Sequence, residues 1–160
     1  MAAIIHARKN IYLTQSYFIP DFGLIRALKK ASRRGVDVRI LTAGESDVPM
    51  VRWSSHATYQ SLLSAGVKVY EYQGRMMHAK TGVVDSKWWT VGTANMDHLS
   101  LFRNLEVNLV SRDPAQARIL ENQFHTDLQS SHEILYETWR QRPWSHRLIE
   151  QFFLLFRHWL

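Results

Sequence analysis

A chain of 160 residues, 46% of them apolar, is long enough for one domain with a real core and too short for two large ones. It has no cysteine, which excludes a disulfide framework and a thiolate metal site and suits a reducing cytosolic setting. A net charge of +6 favours anionic partners: lipid head groups, a membrane surface or nucleic acid.

Residues 1–9 read as the end of an amphipathic helix, which hints at something upstream. They break into charge at Arg8-Lys9 before any secretory-type apolar run. A strand follows from Asn10 to Phe18. Pro20-Asp21 then opens a helix to about Arg34, with Leu24, Ala27, Leu28 and Ala31 at i, i+3, i+4 and i+7, and Gly35 closes it. Its basic residues, Arg26, Lys29, Lys30, Arg33 and Arg34, lie mainly off that stripe, as a solvated face more than a lipid patch. Strand Val36–Leu41, a helix from about Met50 to Ala65 closed by Gly66, and strand Val67–Tyr72 come next. This alternation implies right-handed crossovers and a largely parallel sheet with helices on both faces.

Two β-prone runs then flank the turn Asp85-Ser86-Lys87, one ending in Val83-Val84 and the other spanning Trp88–Thr93. A hairpin centred near Ser86 pairs residues whose numbers sum to about 172, which sets His78 opposite Ala94. Alternation puts His78 and Lys80 on one face, and Thr93 and Asn95 likewise share one. An imidazole, a cation, a hydroxyl and an amide then converge, which suits an anionic, tetrahedral group such as a phosphodiester. Lys80 can neutralise phosphoryl oxygens, with Thr93 and Asn95 as further donors. His78 can attack phosphorus or protonate a leaving alkoxide. In the alternating run Leu105–Leu109, read as the start of a strand to Val110, Glu106 faces away from the apolar side. Its carboxylate can there fix the tautomer of an imidazole. Asp85, at the turn, is better placed to tie the hairpin together than to touch substrate. His78, Asp85 and Glu106 are also metal-ligand types, but Lys80 in the same site repels a divalent ion. No metal or cofactor is expected.

Further on, Asp113-Pro114-Ala115-Gln116 resembles a capping box with Pro at N1. It opens a helix with the stripe Ala117, Leu120, Phe124 and Leu128. Pro143-Trp144-Ser145 precedes a last helix over about 145–159, apolar around much of its circumference and too short to span a bilayer. Aromatic residues among Arg140, Arg142, Arg147 and Arg157 suit the headgroup interface; packing on this domain or a partner is the other reading. Residues 1–142 are thus one catalytic-type domain and 143–160 an apolar, Arg-flanked helix. Tyr17 and Phe18 either line an entrance or pack in the core, and His98 is a candidate for lining the site.

At the motif the sequence resembles the phospholipase D superfamily, whose signature is His-x-Lys-x4-Asp followed by Gly-Ser/Thr-x-Asn. Here it reads His78, Lys80, Asp85, Gly92, Thr93 and Asn95, with Glu106 where the family keeps a supporting acid. Alone, the first element is weak; with Gly-Thr-x-Asn and Asn104-Leu105-Glu106-Val107-Asn108 it is strong. Tyr17-Phe18-Ile19-Pro20-Asp21, Arg34–Val38, Asn95-Met96-Asp97 and Ser100–Asn108 look like the C-terminal half of bacterial cardiolipin synthases, over roughly residues 1–142.

The resemblance implies a phospholipase D-like α-β-α sandwich and catalytic roles for His78, Lys80 and Asp85. It also implies phosphatidyl transfer between glycerol-type hydroxyls through a phosphohistidine, with a phosphatidylglycerol-like substrate, at the cytoplasmic side of a bacterial cytoplasmic membrane. Such proteins need two motifs, and this chain has one. A monomer is therefore expected to be inactive until an N-terminal half or a second copy supplies the other. A homodimeric phosphodiesterase or nuclease acting on nucleic acid, and an inactive remnant that binds anionic lipid, are the alternatives.

Overall fold

The computed structural model describes residues 1–159. Leu160, which ends the apolar tail, lies outside the described residues. Seven strands form one mixed sheet: β1 (Asn10–Gln15), β2 (Asp37–Ala43), β3 (Lys68–Tyr72), β4 (Lys80–Val84), β5 (Trp88–Gly92), β6 (Asn108–Ser111) and β7 (Ser131–Ile134). Their spatial order is β6-β5-β4-β1-β2-β3-β7. The helices are α1 (Ala2–His6), α2 (Phe22–Arg33), α3 (Pro49–Leu63), α4 (His98–Phe102), α5 (Pro114–Leu128), α6 (Tyr136–Arg140) and α7 (Trp144–Leu154), with a 3-10 turn at Arg157–Trp159.

The β–α–β–α–β order makes β1, β2 and β3 parallel neighbours. That is the whole parallel portion: β4, β5, β6 and β7 all join antiparallel. The sheet is mixed, and less parallel than the alternation alone suggests, because one hairpin and two edge strands complete it.

Strand alternation divides the core. Ile11, Leu13, Val38, Ile40 and Val84 face α1 and α2, whose Ile4, Leu24, Ala27, Leu28 and Ala31 are buried against them. Tyr12, Leu41 and Tyr72 face the opposite side, where α5 places Phe124. The Tyr12 and Phe124 rings stack at 4.9 Å, 5° from parallel. Trp89 and Val83 continue that side against Ala117.

Helix boundaries follow the expected chemistry. Asp21 accepts from the Leu24 N–H at 2.6 Å and Asp113 from that of Ala115 at 2.8 Å. Gly35 and Gly66 close α2 and α3 at φ +90° and +85°, a left-handed conformation that costs other residues. The basic face of α2 is partly used in packing: Lys29 Nζ donates to Ser61 Oγ at 2.8 Å, and Arg34 Nη2 to the carbonyls of Ile5 and Ala7.

The tail packs on the domain. α7 lies along α3, fixed by Arg142, whose Nε and Nη2 bond the two oxygens of the buried Glu150 at 2.8 and 2.6 Å. Its other face leaves Trp144, Leu148, Phe152 and Leu155 exposed. Among the described residues no helix is long and apolar enough to cross a membrane.

Candidate active site

The hairpin forms in the expected register: Thr81 faces Val91 and Val84 faces Trp88, so the numbers sum to 172. Asp85 and Ser86 turn the chain at φ +54° and +53°. The ladder stops short of His78, which lies in the segment leading into β4. Lys80 opens β4 opposite Gln15, at the end of β1 where the parallel strands terminate. Open α/β sheets characteristically place sites at this end.

Lys80 is 6% exposed. Its Nζ donates to Ser16 Oγ at 2.8 Å and to the His78 carbonyl at 3.2 Å. Both are neutral acceptors, and no carboxylate lies within 4 Å of it among the described residues. Burial lowers its pKa, against the opposing pull of Glu106 and Asp97. This is a buried cation whose charge is not cancelled by direct contact. His78 beside it is exposed, and its ring bonds to no other side chain among the described residues.

The chain after β5 is bound to the end of β1. Met96 N–H donates to Gln15 Oε1 at 3.0 Å, and the Met96 carbonyl accepts from Ile19 N–H at 2.9 Å. Tyr17 N–H reaches Asn95 Oδ1 at 3.4 Å. That contact occupies the amide oxygen and leaves the Asn95 NH2 as a donor, as the phosphate reading requires. Asp97 caps α4 by accepting from Ser100 N–H at 2.7 Å, and burial raises its pKa.

Thr93 does something else. Its hydroxyl accepts from Val107 N–H at 2.9 Å, while its own N–H donates to the Val107 carbonyl at 3.0 Å. The Thr93 hydroxyl is also the chief cause that holds the Glu106 pKa down, together with Ser100, Asn104 and the Lys80 charge. Thr93, expected as a phosphate donor, is here a strut between two segments. Glu106, expected on a strand beside an imidazole, lies in the irregular stretch before β6, where Thr93, Ser100 and Asn104 favour its ionised form. The strand starts at Asn108, which pairs with Gly92, and the Val107 carbonyl also lies against that glycine. A Cβ on Gly92 would stand 2.0 Å from Asn108 Oδ1 and 2.3 Å from the Val107 carbonyl. The motif glycine is therefore required by close approach.

Asp85 lies at the hairpin turn, away from Lys80. Its carboxylate accepts from the backbone N–H groups of Arg8 at 3.0 and 3.1 Å, Lys9 at 2.7 Å and Asn10 at 3.3 Å. It sits at the far end of the hairpin from Lys80, roughly 3.3 Å per residue along β4. These backbone bonds tie the turn to the start of β1.

The entrance question divides. Phe18 is fully buried in the core, while Tyr17 is half-buried with its hydroxyl 2.5 Å from Asp47 Oδ1. Burial and that carboxylate push the Tyr17 pKa up to about 12. His98 opens α4, packs against Phe102 and lines a small apolar cleft with Ile19, Phe22 and Leu101. Ser16 and Gln15 are the site residues that motif reading missed. The available signal was the polar run Thr14-Gln15-Ser16 at the end of a central strand whose middle is Ile11-Tyr12-Leu13. Among the described residues no group of three His, Asp or Glu side chains is arranged to hold a metal ion.

Residues 1–128 match the family described as cardiolipin synthase, PLD-like domain. Cardiolipin synthase A of Yersinia pseudotuberculosis serotype O:1b is 38% identical over 156 residues, covering 98% of this chain and 32% of the relative. The chain thus spans about a third of the length of the curated relatives it matches. Among solved structures, the phospholipase D family member Nuc of Salmonella typhimurium superposes with a TM-score of 0.73 at 20% identity, over 84% of this chain and 87% of that one. Phosphatidylserine synthase of Haemophilus influenzae gives 0.76 at 14% identity, over 99% and 43%. These two likenesses are of fold. Matched over residues 1–128, with the His78-x-Lys80 motif inside that span, the chain belongs to the phospholipase D-like domain family of cardiolipin synthases.

Proposed function

We propose that this chain is one motif-bearing half of a phosphatidyl transferase that moves a phosphatidyl group between glycerol-type hydroxyls. The observation that carries the reading is Lys80: a buried ammonium held by neutral oxygens, beside an exposed imidazole. A desolvated cation without a contacting counter-charge is completed by an anion, and a lipid phosphodiester supplies one.

In the proposed reaction one imidazole attacks phosphorus, forming the N–P bond as the P–O bond to the departing alcohol breaks. A second imidazole gives that alkoxide its proton. The same group then takes the proton of the incoming hydroxyl, whose oxygen displaces the histidine. His78 is one of the two imidazoles. Lys80 and the Asn95 NH2 stabilise the charge on the non-bridging oxygens, and Thr93 and Glu106 hold the loop that presents Asn95.

The other imidazole comes from a second motif-bearing domain. The exposed β6 edge supports such pairing: Leu105, Val107, Leu109 and Val110 are 104%, 77%, 61% and 52% exposed, next to Thr93 and Glu106. An unpaired apolar edge of this kind invites a partner. The same patch allows two copies of the chain to meet, which is the homodimeric phosphodiesterase reading. Membrane placement is peripheral in this reading, at the cytoplasmic side of a bacterial cytoplasmic membrane.

The test is transfer of labelled phosphatidylglycerol, followed by thin-layer chromatography, on the chain alone and with a supplied N-terminal half. The solution mass of each sample is measured alongside. Transfer is expected only in assemblies with two motifs, and is lost in His78→Ala. Metal-independent nicking of plasmid DNA by a dimer, without lipid transfer, would replace this reading with the phosphodiesterase. Liposome binding indifferent to His78→Ala, with no turnover in any pairing, would leave only the lipid-binding remnant.

A further inference from the structure

α7 packs on α3 along one side. At about 100° per residue, Trp144, Leu148, Ile149 and Phe152 fall within about 140° of its circumference, and all are exposed. Leu155 and Phe156 prolong this stripe past the helix end, and Trp159 follows them, also exposed. The opposite arc holds Glu150, Phe153 and Leu154, buried or half-buried. An apolar stripe of this width is what a helix normally turns towards a core. Here it faces outward, and a patch of that kind calls for a cover.

The charges around the stripe select the cover. Residues 136–159 contain two carboxylates, Glu137 and Glu150, and both are taken. Glu137 lies 3.6 Å from Arg140, and Glu150 is buried on Arg142. Arg147 and Arg157 make no ion pair among the described residues. Arg147 donates to the Arg140 carbonyl and Arg157 stands over the Phe22 ring at 4.1 Å, contacts that leave both charges uncancelled. A second copy meeting through the same stripe brings arginine towards arginine, with no free carboxylate between them. A bilayer with anionic lipid answers both features. Its acyl boundary takes the leucines and phenylalanines, its headgroup level suits the indoles of Trp144 and Trp159, and its phosphates meet the guanidinium groups.

The tail also reaches the end of the sheet where the site opens. Its 3-10 turn packs against α4, and Arg157 lines a small cleft with Phe22, Asp97 and Phe102. Phe22 and Phe102 are exposed, and α4 follows the Asn95 loop directly. We propose that the outer face of α7 docks on a bilayer bearing anionic lipid, with Phe22 and Phe102 at the same surface, so that the rim of the site is held at the headgroups. This gives the peripheral placement above a location; it rests on that placement and not on the transfer chemistry.

The test is flotation of the full chain with vesicles of phosphatidylcholine, alone or mixed with phosphatidylglycerol, with the solution mass measured in parallel. Binding is expected to the mixed vesicles and should weaken as salt is added. Leu148→Gln and Phe152→Gln are each expected to weaken it about tenfold, as loss of one buried apolar side chain does. Arg147→Ala is expected to cost about fivefold, the worth of one basic residue near an anionic surface. Arg33→Ala, an exposed charge at the far end of α2 from Phe22, is expected to bind as the parent does. These positions are exposed, so their urea midpoints should match the parent's. Transfer of short-chain, monomerically dissolved phosphatidylglycerol by a two-motif assembly should survive Leu148→Gln. His78→Ala should lose that transfer and keep vesicle binding, so the two readings fail separately. The proposal is overturned if the chain does not bind mixed vesicles, or if Leu148→Gln and Phe152→Gln bind like the parent. It is equally overturned if Arg33→Ala loses as much as Arg147→Ala, or if the two glutamine substitutions dissociate a dimer and leave vesicle binding unchanged.

Discussion

The β4–β5 hairpin has two ends, and the signature His78-x-Lys80-x4-Asp85 reaches both. At the closed end the carboxylate is taken up by backbone: Asp85 receives N–H groups from three successive residues. At the open end capacity is left over. Lys80 is buried among neutral oxygens, His78 is exposed, and the Asn95 NH2 makes no hydrogen bond among the described residues. A spaced signature can therefore join chemistry at one place to architecture at another, and hydrogen-bond accounting separates them.

The difference can be broken by substitution at each end. His78→Ala should lose about 10³-fold or more of transfer by a two-motif assembly, as removal of a nucleophile or its acid partner does. Because the ring is exposed and unbonded, the urea midpoint of this variant should not move. Gly92→Ala probes the seam between the two ends. The added methyl meets backbone, which cannot rotate away, so unfolding should cost about 3 kcal/mol less, the upper part of the overpacking range. Transfer should fall as well, since Thr93 to Asn95 must shift.

Asp85→Ala is the mirror of His78→Ala. It strands N–H groups and should destabilise by about 1–3 kcal/mol in urea, with turnover per folded molecule unchanged. A loss of turnover without a loss of stability would return Asp85 to the chemistry.

Lys80→Met should abolish transfer while raising the midpoint at neutral pH, because the native state holds the charged amine at a cost. The sign follows from its lowered pKa. Above that native value and below the ordinary 10.5 the unfolded chain binds more protons, so stability rises with pH in this window, and the variant loses the slope. Glu106 gives the smallest effect, with the reverse origin. Its pKa is lowered first by Thr93, so it stabilises above the ordinary 4.5 and ceases to as pH falls through its native value. Glu106→Gln should flatten that acid limb in thermal melts.

Much of this was legible beforehand. Turn chemistry at Asp85-Ser86 fixed the register that sets Thr81 opposite Val91, and Asp21, Asp113, Gly35 and Gly66 marked helix ends through their own side chains or their lack of one. What escaped depends on long-range partners. β7 has a single buried apolar residue, Ile134, and is a strand only because β3 offers it an edge. The run from Leu105 alternates like a strand, yet the ladder begins only at Asn108, and Val107 is bonded instead by Thr93 through its hydroxyl and its N–H. Thr93 carries the expected hydroxyl, but nothing local shows that Val107 and Glu106 will claim it. Ser16 has no motif at all; only the arrival of Lys80 from 64 residues away gives it a role.

The seam at Gly92 has a consequence for how the protein tolerates its surroundings. Two lengths of backbone nest there by the absence of an atom, and neither salt nor acid can loosen a contact that contains no charge. Changes in the medium should then alter what the lysine carries long before they alter where it sits.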